Sequence, residues 1–203
     1  MFAVGHIALG HITGKALGKA TRQDPNIPLL WTLSLLPDID FLIPVIRHRG
    51  PTHSILLALL LCAPFLIYRP RKAAPYFAAL FTHSLIGDFL TDGGVMLLWP
   101  LSTKMMKNDS LFRMGGTTES YIELALFGIL ILMLIVSGDF KKLITKENSS
   151  ILLFIPLCTI VIPAIYKYPI RIPATLLIAH LILLGIISLS IALYLFQTLK
   201  NKL

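Results

Sequence analysis

Ten acidic residues stand against eighteen basic ones, only 14% of the chain is charged, and there are two cysteines. Each shortage excludes something. Soluble domains carry about 25% charged residues, so this chain has too little charge to coat a water-facing surface. Cys62 and Cys158 both lie in apolar runs without a Cys-x-x-Cys spacing, which speaks against a disulfide framework or a thiolate metal cluster and leaves both as small core residues. No His-Glu-x-x-His occurs, as a zinc protease of that type would need. The Lys and Arg cradle with a Pro-Ser-Gly-His turn, used by histidine-nucleophile lipid phosphatases, is missing too; Gly50-Pro-Thr-His53 only imitates it. The N-terminus lacks the basic region of a cleavable signal, and His6, His11 and Lys15 interrupt its apolar residues.

What is present is apolar. Hydrophobic residues make up 56% of the 203 positions and the mean hydropathy is +0.79. The net charge of +8 comes from short basic clusters between apolar runs, the pattern of loops at a membrane surface and not of a nucleic-acid binder. The expectation is an all-α polytopic membrane helix bundle of the inner or plasma membrane, with about six to seven membrane-embedded helices: a first segment over 1–20, then crossings at 27–46, 54–69, 73–92, 119–138, 150–166 and 174–199. Glycines 5, 10, 14 and 18 let the first helix approach its neighbours closely. Residues 1–120 carry the chemistry. Residues 121–203 read as scaffold, where His180, alone in an apolar run, is an interfacial histidine.

The chemistry centres on Leu36-Pro-Asp-Ile-Asp40 and His48-Arg-Gly-Pro-Thr-His-Ser54. A carboxylate at membrane depth costs about 2.5–3.5 kcal/mol on insertion scales, so Asp38 and Asp40 need a partner, and a cation is the natural one. The alternative is a helix broken at Pro37 that leaves both acids capping helix ends in an aqueous mouth. Gly50-Pro51 forbids a continuous helix, so His48 and His53 flank a bend. Carboxylates with imidazoles suit zinc or a similar divalent ion. Arg49 offers a rigid donor fork for a phosphate or carboxylate of a substrate. His6 and His11 lie about 140° apart around a helix, and His6 is the preferred candidate of the two.

A second cluster runs from Thr82-His83 to Asp88 and Asp92. Asp88 and Asp92 share a helix face; His83 and Asp88, five apart, do so only where the helix is locally wide, as in a π-bulge. Glu119 opens a later helix and is evenly balanced between capping it and binding metal or substrate. The expected crossings place His6, Asp38, Asp40, His48, His53, Asp88 and Glu119 toward one side, with 11 of the 18 basic residues on the other and 7 on the site side; by the positive-inside rule that split leans toward a site facing away from the cytoplasm and leaves the orientation open.

Gly5-His6, Leu36-Pro-Asp-Ile-Asp40, His48-Arg-Gly-Pro-Thr-His-Ser54, the His83 to Asp88 cluster running into Leu90-Thr91, Gly94-Val95 and Trp99-Pro100 together resemble the YdjM-like family of membrane-bound, predicted metal-dependent hydrolases. Some of its members are labelled inner-membrane-associated and LexA-binding. The resemblance covers about the first 120 residues. It implies metal binding by His6, Asp38, Asp40, His53, His83 and Asp88. The order of histidines and acids is also similar to that of the zinc-dependent phospholipase C and P1 nuclease group. One departure is visible: the family pattern has His-x-x-x-Asp in the third cluster, whereas Ser84 stands four before Asp88 and His83 five.

The function expected from this set is hydrolysis of a membrane lipid or lipid-linked phosphoester by a water activated on a divalent ion, zinc first, manganese or magnesium as alternatives. Asp40 or Glu119 would take the proton and Arg49 would hold the anionic group. No nucleic-acid partner is expected and no protein partner is indicated. The competing expectations are a transporter or ion pathway, which would spread polar residues over both halves of the bilayer, and an adaptor with a structural metal.

Overall fold

Histidine and glycine, unusual material for an innermost helix, build α1 (Ala3–Thr21), which buries His6 and His11 along with Val4, Ile7 and Ala8. The computed structural model describes residues 1–43, 45–91, 94–108, 115–145, 148–166 and 171–201. The reason for glycine lies in α2 (Ile27–Leu35), which packs directly on α1. A Cβ at Gly10 would stand 2.0 Å from Ser34 Oγ, and one at Gly14 2.5 Å from a Leu30 methyl. Asn26 starts α2 by accepting the Leu29 N–H at 2.9 Å, with Pro28 in the first turn.

Pro37 then decides the shape of the site. It has no N–H to donate and its ring clashes with the carbonyl four residues back, so α-helix stops at Leu35 and the chain continues as a tight 3₁₀ helix, Leu36–Leu42. A second 3₁₀ turn, Pro51–His53, precedes α3 (Ile55–Tyr68), which Ser54 caps by accepting the Leu57 N–H at 3.1 Å. No residue of α3 is buried, and its leucines face outward. α4 (Pro70–Thr82) returns along α1 and widens into a π-helix, His83–Asp88, before a short 3₁₀ turn, Phe89–Thr91. α5 (Thr117–Val136), the short α6 (Asp139–Ile144), α7 (Phe154–Tyr166) with a 3₁₀ turn before it (Asn148–Leu153), and α8 (Ala174–Lys200) complete the chain.

The all-α class holds: among the described residues β-pairing is confined to one bridge, Val95 with Met106. The count of six to seven membrane-embedded helices is not confirmed. Three stretches among the described residues are long and apolar enough to cross a membrane, Thr117–Val136, Ser149–Tyr166 and Ala174–Lys200. The expected crossing at 27–46 is interrupted by Pro37, and the one at 73–92 passes from α-helix to π and 3₁₀. The 14-residue α3 is about 21 Å long at 1.5 Å per residue, short of a hydrocarbon core of about 30 Å. One hydrophobic core joins both ends of the sequence, with Val4, Ile7, Trp31 and Leu35 packed among Phe127, Leu130, Leu183 and Ile187.

Candidate metal centre

The 3₁₀ helix after Pro37, the Pro51–His53 turn and the π-helix bring Asp38 and Asp88 against the paired imidazoles of His53 and His83. His53 Nε2 lies 3.4 Å from Asp38 Oδ1 and 3.2 Å from Asp88 Oδ2. His83 Nε2 lies 3.6 Å and 3.3 Å from the same two oxygens, and the two imidazole nitrogens are 3.3 Å apart. All four residues are buried. The π-helix is what makes this possible: one extra residue in the turn puts His83 and Asp88 on a common face, which removes the difficulty of their five-residue spacing.

His6 joins from α1. Its ring stacks on that of His83 at 3.7 Å and its Nε2 is 3.7 Å from Asp88 Oδ1. Gly87 allows the approach, since a Cβ there would stand 2.4 Å from the His6 ring. Three overlapping sets, His6–Asp38–His83, Asp38–His48–His53 and His53–His83–Asp88, each have ligand atoms within 4.8 Å of one another, so this buried cluster is able to hold a metal ion. His6 Nδ1 and Asp88 Oδ2 make no hydrogen bond although both are buried. Buried polar atoms are ordinarily satisfied, and a cation is one way to satisfy a group of lone pairs that face each other.

The outer partners fix the ring orientations. His83 Nδ1 donates to the Ser34 carbonyl at 2.6 Å, which leaves Nε2 bare toward the centre. His53 Nδ1 is 3.3 Å from Asp40 Oδ2. Asp40 stands one step back from the point of convergence, accepting from the Arg49 N–H and the Thr52 hydroxyl at 3.1 Å each and from His48 Nδ1 at 3.1 Å. Burial alone would drive the proton off His53, yet Asp38, Asp40 and Asp88 outweigh it and raise its proton affinity well above the ordinary imidazole range. Asp38 responds in the opposite sense: burial pushes its carboxyl up, but His83 and His53 hold it well below the usual range. Both directions describe a place that favours positive charge.

Arg49, expected to face a substrate, pairs with Asp88 Oδ1 at 2.9 Å from a backbone position of φ +62°. Glu119 takes the first of its two expected roles. One carboxylate oxygen accepts the Gly115 N–H ahead of α5, and the other, with no hydrogen bond, lies 3.3 Å from the Met1 amino group. Asp92 lies outside the described residues. His11 is absent from the centre, as its angle on α1 requires.

Two features escaped the sequence reading. Glu123 is fully buried and accepts from Phe2 N at 3.0 Å and Gly5 N at 3.1 Å, capping α1 from the side of α5. Gly5 is required there, because a Cβ would meet a Glu123 oxygen at 2.6 Å. The second is His180. Asp38, Asp88 and His48 open into a narrow cleft of about 50 Å³ whose far wall is Thr159, Ile160, Pro163, Ala164, Ile172 and His180, so the expected scaffold supplies one side of it. A glutamate four residues after a capping glutamate was the only available signal for the first; nothing in the sequence signalled the second.

Similarity to known proteins extends over most of the chain. The curated inner membrane proteins YdjM of Escherichia coli (strain K12) and of Shigella flexneri are each 31% identical over 122 residues, covering 50% of this chain and 62% of theirs, so the matched stretch spans less than two thirds of those relatives. No solved structure matches the chain. The family described as YdjM inner membrane protein matches residues 1–169, which include every residue of the centre. With that match over most of its length, the chain belongs to the YdjM inner membrane protein family.

Proposed function

We propose that this protein is a membrane-embedded, metal-dependent hydrolase acting on a lipid or lipid-linked phosphoester. The observation that carries the reading is the spacing of the four donor atoms. Ligands 2.0–2.1 Å from a tetrahedral zinc ion are about 3.3–3.4 Å apart; Asp88 Oδ2 and the Nε2 atoms of His53 and His83 lie 3.2–3.3 Å from one another, and Asp38 Oδ1 lies 3.4 and 3.6 Å from the two imidazole nitrogens. Carboxylates with imidazoles also admit manganese or magnesium, and the absence of cysteine is unlike a closed structural zinc site.

A bound divalent ion supplies a water of lowered pKa and polarises the oxygen under attack. The remaining work falls to side chains. His53, His83 and Asp88 would hold the ion, with Asp38 beside the two imidazoles and His6 stacked on His83. Asp40 and the Ser34 carbonyl keep the two imidazoles turned inward. Asp40 is saturated by its four partners, so we assign proton uptake to Glu119, whose second oxygen has no hydrogen bond. The Arg49 guanidinium beside Asp88 meets a phosphoryl oxygen. The cleft holds an ion and a few waters, given that about 10–15 Å³ admits one water; a lipid therefore presents its headgroup at the mouth, between Phe41, Pro163 and Ile172.

The test is elemental analysis of detergent-purified protein beside an Asp38→Ala, His53→Ala variant, with release of phosphate or diacylglycerol from mixed lipids as the paired assay. Stoichiometric metal that disappears in the variant together with lipid turnover is the expected result. Wild type that takes up no metal when supplied with it sinks the proposal. One observation favours a second reading, an ion pathway: another buried His and Asp pair, His11 and Asp139 at 3.7 Å, lies toward the opposite end of α1. Proton flux in reconstituted vesicles that stops on His11→Ala, without hydrolysis of any lipid, would select it.

A further inference from the structure

The end of the molecule away from the metal centre carries a basic surface that the hydrolase reading leaves unused. Lys15 and Lys142 there are spoken for, shared between Asp24 and Asp139 at 2.6–3.2 Å. Lys19, Arg69, Arg71 and Lys72 are not: among the described residues no carboxylate lies within ion-pair distance of any of them. They line two adjoining hollows. One, of about 430 Å³, runs between α1 and α5 and has Lys15, Lys19 and Gln23 at its polar side and Ile12, Ala16 and Met133 at its apolar side. The other, of about 360 Å³, is bounded by Arg69, Pro70, Arg71 and Lys72, and Gln23 is a wall of both.

The level of these hollows along the membrane normal follows from their neighbours. α3 presents Phe65, Ile67 and Tyr68 to the outside at 68%, 74% and 84% exposure, and Arg69 comes next. Beside the other hollow, α5 exposes Ile135 and Val136 and ends at the latter. Apolar, outward-facing helix thus gives way to unpaired cations at one height, where phospholipid phosphates lie. A groove with cations at the top and methyl and thioether groups below matches an amphiphile with an anionic head and an acyl tail, and basic pockets between membrane helices bind such headgroups.

We propose that this crescent, centred on Gln23, is a binding site for an anionic phospholipid, with the phosphate held by Lys19, Arg69, Arg71 and Lys72 and one acyl chain lying along Ile12, Ala16 and Met133. The site is separate from the metal centre and does not depend on it. Lipid phosphate and free phosphate share the same chemistry, so the occupant is distinguished by the tail.

The experiment is lipid retention by native mass spectrometry of the detergent-purified full chain, titrated with dioleoylphosphatidylglycerol or dioleoylphosphatidylcholine. Wild type is expected to keep phosphatidylglycerol in preference to phosphatidylcholine. The Arg69→Gln, Arg71→Gln, Lys72→Gln variant should bind it about 100-fold more weakly, at roughly one fivefold step per cation. Lys19→Gln alone should lose about fivefold, and the three corresponding arginine and lysine interchanges should keep most of the affinity. Unchanged metal content or an unchanged elution volume shows that the variants are folded. Equal retention of the two lipids overturns the proposal, as does a triple glutamine variant that binds like wild type. Displacement of bound phosphatidylglycerol by inorganic phosphate at equal concentration would also overturn it, since the acyl chain would then contribute nothing.

Discussion

Two buried clusters of histidine and aspartate among the described residues both touch α1, and they differ in what balances their charge. Around His6 stand Asp38, Asp40, Asp88 and Glu119, with Arg49 and the Met1 amino group as the fixed cations paired with them among the described residues. Around His11 stands Asp139, fully buried, with Lys15 and Lys142 each at 3.0 Å, the Ser137 hydroxyl at 2.6 Å, and Asp24 completing two acids against two lysines. The indole of Trp31 donates to His11 Nδ1 at 3.2 Å, which turns the Nε2 proton toward Asp139. The second cluster is neutral by itself. The first has a surplus of carboxylates that an added cation would offset, so the same two residue types make a joint at one end and a candidate metal centre at the other.

The largest effect should separate the two clusters outright. Asp38→Ala is expected to weaken metal binding by more than about 100-fold, beyond the range typical of an outer partner, while Asp139→Ala leaves the bound metal unchanged. Metal content by elemental analysis checks both, and parallel loss in the Asp139 variant would erase the distinction. Next comes Asp40→Asn. It keeps the shape but removes the charge behind His53, and a loss of about 10–100-fold in metal affinity, read by competition with a chelator, is expected.

How far the difference was legible in the sequence depends on the residues concerned. Asp38, His53 and Asp88 stood out because carboxylates and a Gly-Pro bend are expensive or disruptive in an apolar run, and the all-helical class followed from composition. The π-helix was visible only as a condition, because the five-residue step from His83 to Asp88 requires it and nothing local to Ser84-Leu-Ile-Gly87 enforces it. A hydropathy run does not register that Pro37 changes the helix type, so the break within 27–46 was not legible as a 3₁₀ helix. The His11 cluster was missed because its lysines come from two places. Lys15, four after His11, was in view, but Asp139 lies 124 residues from Lys15 and Lys142 reaches Asp24 across 118 residues of sequence.

A smaller effect sharpens the second half of the comparison. Asp139→Asn would leave Lys15 and Lys142 facing each other without their shared carboxylate. Removing one partner of a fully buried pair costs about 3–5 kcal/mol. The lysine side chains here are 17% and 32% exposed, so water screens part of the loss. The expected destabilisation is nearer about 2 kcal/mol, measured as a lowered unfolding midpoint in detergent with metal content unchanged.

The smallest effect belongs to Asp24, and its sign under acid is definite. Hydrogen bonding from Lys142 holds the Asp24 carboxyl below its usual range, against a modest opposing push from burial, with Lys15 adding to the lowering. A depressed pKa in the folded state contributes stability above the unfolded value, and that contribution disappears as pH falls through the folded one. Because the side chain is 66% exposed, the contribution is small, at most about 0.5 kcal/mol for a screened surface pair. Asp24→Asn should therefore lower the unfolding midpoint slightly and by a constant amount from pH 8 to about pH 5, and the difference from wild type should close below about pH 4. Asp139 is also depressed, by Ser137 and both lysines against the opposing push of burial, so its variant should converge with wild type in the same direction from a larger starting gap. A gap that widened on acidification at either position would mean that the lysines, not the carboxylates, are the tolerated partners, and the joint at this end would have to be held by the Trp31 to His11 contact instead.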